Sequence, residues 1–72
     1  MKSEEDIKEM IKTNLVAIEA YLEEIGDALS MLKKNPSDTK FKTHIVEQLF
    51  AVSLDAGAVG ALQWVLEMVK KE

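Results

Sequence analysis

The chain contains no cysteine. That excludes disulfides and thiolate metal sites and fits a reducing compartment, so a cytoplasmic location is the expectation. Arginine is missing too: all 9 cationic residues are lysines, set against 13 Asp and Glu for a net charge of −4. Binding a nucleic-acid backbone needs concentrated positive charge, and arginine is the usual bidentate reader of phosphate and guanine. Nucleic acid is therefore not an expected partner. Histidine occurs once, at His44, with Glu47 and Gln48 one turn on. One imidazole and one carboxylate do not fill a zinc site, and di-iron bundles need paired Glu-x-x-His motifs that this sequence lacks. Only 3 glycines are present, and Gly57-Ala58-Val59-Gly60 follows no strand and has no lysine beside it. It is not a phosphate loop. No catalytic constellation appears, and the expectation is no enzyme, no metal and no cofactor. The opening MKSEEDIKEM is too acidic for a signal or transit peptide.

Proline occurs once, at Pro36, and that single break organises the rest. Upstream, Ser3-Glu4-Glu5-Asp6 has the form of a capping box, with acidic residues suited to the positive end of a helix dipole. Ile11, Leu15, Ile18, Leu22, Ile25, Leu29 and Leu32 then alternate spacings of four and three, an a/d seam. Lys12, Thr13, Glu19, Glu23 and Asp27 make the opposite, solvated face. Lys33 and Lys34 suit the negative end of the dipole, and Asn35-Pro36 stops the helix. The first helix is expected over about 4–34.

Downstream, Asp38 is the preferred N-cap of a second helix over about 39–71. Phe41, Ile45, Leu49, Val52, Ala56 and Val59 form one apolar stripe. Val46, Phe50, Ser53, Gly57, Ala61 and Trp64 form another beside it, so this helix is expected to touch more than one neighbour. Ser53, Gly57 and Ala61 are a small-residue row that lets another backbone approach. With no proline or polar cluster near Asp55–Gly57, a continuous helix is expected; a helix broken at 55–57 would give a three-helix bundle instead. Two helices of nearly equal length make an antiparallel hairpin, all-α, as a single helical domain over 1–72. The pairing places Leu15 near Ala56 and Gly57, Leu22 near Leu49 and Phe50, and Ile7 near Trp64.

A chain of 72 residues is at the margin of building its own core. The hairpin is expected to dimerise into a four-helix bundle through Val46, Phe50, Ser53, Gly57 and Ala61. Gly57→Leu should then overpack, at a cost of about 1–3 kcal/mol. The run Phe50–Val69 is long enough for a bilayer. Its apolar residues contribute roughly −4 kcal/mol on an insertion scale, which Asp55 and Glu67 alone offset. Membrane is therefore not an expected partner.

The two-helix layout and the segment Ala28-Leu29…Leu32-Lys33-Lys34 resemble small co-chaperones of type III secretion needle subunits. The segment Ala61-Leu62-Gln63-Trp64-Val65-Leu66 resembles the tails of small phage and prokaryotic helical proteins. These likenesses assign no functional residue. The reading that follows is a self-associating helical module that binds an unidentified protein as adaptor or co-chaperone. Trp64 and Met68 are its anchors, since Trp and Met are enriched at interfaces. The alternative is a small acidic regulator or inhibitor, of phage or mobile-element type. Its Glu19, Glu23 and Glu24 would mimic nucleic acid against a basic protein.

Overall fold

The computed structural model describes residues 3–71. They form two helices, α1 (Glu4–Lys34) and α2 (Thr39–Lys71), packed against each other as an antiparallel hairpin of 55 × 14 × 14 Å. The boundaries lie where the capping chemistry puts them. Ser3 has extended backbone, and its hydroxyl accepts from the Asp6 amide at 3.2 Å. That satisfies one of the amides a helix start leaves without a partner. At the far end the Asn35 amide bonds back to the Met31 and Leu32 carbonyls, and Pro36 follows. Asp38 then turns the chain: its amide donates to the Asn35 carbonyl, and its carboxylate accepts from the Lys40 amide at 2.9 Å. Among the described residues there is no strand.

α2 runs unbroken through Asp55–Gly57, and none of the glycines has a positive φ. The three-helix alternative is thereby overturned. A glycine without a turn or a helix-ending bond at that point only lowers propensity, and two of them do not end a helix.

The hairpin contact is not the seam read from the sequence. On α1 the buried and half-buried positions are Glu4, Ile7, Ile11, Asn14, Ala17, Ile18, Tyr21, Ile25, Ala28 and Leu32. Apart from Ala17 this is also a four–three alternation, but it is shifted one line round the helix. Leu15, Leu22 and Leu29 fall outside it; Leu22 is 52% exposed. On α2 the buried and half-buried positions are Phe41, His44, Ile45, Gln48, Ala51, Val52, Asp55, Ala58, Val59, Leu62, Leu66 and Val69, while Leu49 and Ala56 fall outside. Polar side chains therefore occupy the middle of the contact. The Gln48 Oε1 is buried with no hydrogen-bond partner. Asn14 instead donates back to the Met10 carbonyl of its own helix at 3.0 Å.

Two expected pairings also fail. A Cβ built on Gly57 would meet nothing within 4 Å, so Leu15 does not seat on it. Ile7 is 2% exposed, but Trp64 is 66% exposed and stands on the outside of α2. The cause is the same rotation: a helix that turns one line away from the expected seam carries all its side chains with it.

Candidate interaction surface

α2 carries most of the exposed apolar surface. In a helix wound at about 3.5 residues per turn, residues seven apart stack in one line. The lines against α1 run through Gln48, Asp55 and Leu62 at the centre, with Ile45, Val52 and Val59 on one side and His44, Ala51 and Ala58 on the other. Phe50, Gly57 and Trp64 form the line on the opposite side. The stripe expected beside the hairpin contact is therefore behind it. Val46, Phe50, Ser53, Leu54, Gly57, Ala61, Trp64 and Met68 are all exposed, Phe50 by 67%. α2 is apolar around most of its circumference, yet α1 covers one side only. A helix hydrophobic all round is normally a buried one.

A second apolar surface is the flank of the hairpin. Leu15, Leu22 and Leu29 are seven apart and exposed on α1, and Leu49 and Ala56 are their counterparts on α2. Each set lies one line beyond the hairpin contact, about 50° further round. Both helices are right-handed and run in opposite directions, so these two lines emerge on the same side. The other flank shows the same geometry directly. There Glu24, Asp27, Ala28 and Met31 of α1 share a shallow concavity of about 240 Å³ with Phe41 and His44 of α2. The leucine flank went unrecognised in the sequence because its members were assigned to the hairpin core. Their seven-residue spacing was the signal.

The polar candidates are scattered. Glu19 and Glu23 are exposed on the outer side of α1, while Glu24 turns toward the His44 concavity. Lys8 bridges to Glu4 at 3.3 Å and to Glu5 at 3.9 Å, all at the surface. Among the described residues, no group of three or more His, Cys, Asp or Glu side chains converges as a metal site would require. The second depression, lined by Asp6, Glu9, Met10, Thr13 and Asn14, lies open along α1 alone. By length and composition α2 is also sufficient to cross a membrane.

No family model, curated protein or solved structure matches the chain.

Proposed function

We propose that this chain is a non-enzymatic protein–protein interaction module, a helical hairpin that self-associates and then presents the outer side of α2 to another protein, as an adaptor or co-chaperone does. One observation supports the reading above others: α2 is apolar nearly all round and is covered on one side only. Exposed apolar patches of that extent mark interaction sites. Phe50, Trp64 and Met68 supply the large anchors on the outer side. Self-association is tested by sedimentation equilibrium at micromolar concentration. A folded monomer there would sink the proposal. The partner face is tested by Trp64→Ala and Met68→Ala, which should abolish partner capture while leaving the assembly intact.

Two other readings meet specific residues. Insertion of α2 in a bilayer has its length and composition in favour. Against it stand Asp55, Gln63 and Glu67 within the apolar run 50–69, each costly in hydrocarbon. Acidic mimicry of nucleic acid has Glu19, Glu23 and Glu24 in favour. These do not form one continuous face, and Lys12 and Lys8 lie along the same helix. Neutralising the three glutamates distinguishes it: loss of partner binding, with steep salt dependence, would favour mimicry over the apolar mode.

A further inference from the structure

We infer that a second copy of this chain docks on the leucine flank, against Leu15, Leu22, Leu29, Leu49 and Ala56, and not on the small-residue row of α2. The inference rests on the self-association reading and names its surface.

The first argument is rotational. In a two-helix contact the apolar seam points at the partner helix. In a square four-helix bundle it points between two neighbours, about 45° from the direction of either. The a/d seam of α1 is centred between the line Ile11, Ile18, Ile25 and the line Leu15, Leu22, Leu29. Its hairpin contact is centred one line back, with Asn14 and Tyr21 on it. The seam is therefore turned by about 50° from the contact. α2 shows the same offset in the same sense, from a contact containing Gln48 and Asp55 to a seam containing Leu49 and Ala56. Both seams turn toward one flank. A hairpin complete in itself has no reason to aim both helices past each other to the same side.

The second argument is area. The chain exposes 5541 Å². A compact monomer of 8.1 kDa exposes about 4,500 Å². The excess, about 1,000 Å², matches the roughly 800 Å² that each partner buries in a stable interface. The third is layout. The flank is apolar along its middle, and the same lines end in Lys8 and Lys42, which gives an apolar centre and a charged rim. The row opposite, Phe50–Gly57–Trp64, faces away from the bundle axis when the flank is covered.

Sedimentation equilibrium of the full chain, Leu22→Glu and Phe50→Glu tests this. Both positions are more than half exposed in the hairpin, 52% and 67%, so the hairpin itself tolerates either charge. Leu22→Glu should raise the dimer dissociation constant by about a hundredfold or more, because a two-fold interface buries the charge twice. Phe50→Glu should leave it nearly unchanged. An unchanged Leu22→Glu dimer, or a larger effect from Phe50→Glu, overturns the assignment. If Leu22→Glu does not fold, single cysteines decide, since the chain has none of its own. In the assembled protein, Leu22→Cys should react with a thiol reagent roughly tenfold or more slowly than Phe50→Cys. Equal or reversed rates overturn the flank while leaving self-association standing. A wild-type chain that is monomeric in buffer and moves into phosphatidylcholine vesicles overturns both, and assigns the apolar surface to lipid.

Discussion

Gly57 tests the proposed self-association surface, because the sign of one substitution differs between docking on the leucine flank and docking on the small-residue row. It sits in the middle of α2 with helical backbone, and a Cβ there would meet nothing within 4 Å. In an open helical position Gly→Ala stabilises by about 0.5–1 kcal/mol, since glycine loses more backbone freedom on folding. Leucine has nearly alanine's propensity, so Gly57→Leu should gain a similar amount. For a chain of this size about 1 kcal/mol moves the unfolding midpoint by roughly 4–8 °C. Both variants should therefore melt a few degrees above the parent at equal protein concentration, read by circular dichroism at 222 nm or by urea titration. If another helix seats on the Ser53–Gly57–Ala61 row in solution, alanine fits poorly and leucine overpacks, at about 1–3 kcal/mol of loss. A lowered midpoint for Gly57→Leu would refute the open outer face and return the dimer contact to that row.

Three further substitutions probe the hairpin itself. Gln48→Met should stabilise by about 1 kcal/mol in urea denaturation, because it removes a buried Oε1 that has no partner while keeping the volume; a loss would mean that the amide is satisfied in the assembled protein. Asp38→Ala should cost about 0.5–2 kcal/mol by removing the acceptor for the Lys40 amide, and Asp38→Asn should recover most of it. Ile7→Ala should cost about 2–4 kcal/mol, since Ile7 is the most buried side chain of the core; a cost near zero would mean that the first turns of α1 are frayed in solution.

How much of this was legible beforehand depends on which physical signal carried it. The helix boundaries were, because Ser3, Asn35-Pro36 and Asp38 act locally: each satisfies or removes a backbone bond within a few residues of itself. The continuity of α2 was legible for the same reason, since no residue near Gly57 supplied the chemistry that ends a helix. The rotation of each helix was not. Periodicity finds a seam but does not say what it faces. The seam Ile11–Leu32 has the spacing of a helix contact, yet α2 meets a line that includes Asn14 and Tyr21. The outer position of Phe50 and Trp64 was lost the same way, because two apolar stripes on one helix leave open which of them is turned to the neighbour.

The rotation of the two helices and the candidate surface therefore have one cause. Among the described residues few side chains, Ile7, Ile25, Ala28 and Val59, are buried in the isolated hairpin. Meanwhile Gln48, Asp55 and Asn14 take places on the contact that Leu49, Ala56 and Leu15 would fill better. Polar residues on an intrachain contact contribute little to stability, and the role proposed for them here is to fix its register, since slipping the helices would strand them elsewhere. Apolar residues with no position to fix are free to be used for association. On the proposed division of labour the α1–α2 contact sets the alignment of the two helices, the leucine flank would supply the cohesion between copies, and the outer side of α2 would be left to whatever the assembly binds. Each of the three sides of α2 has a distinct task under this proposal, which would account for a single helix of a small acidic protein being apolar on almost every side.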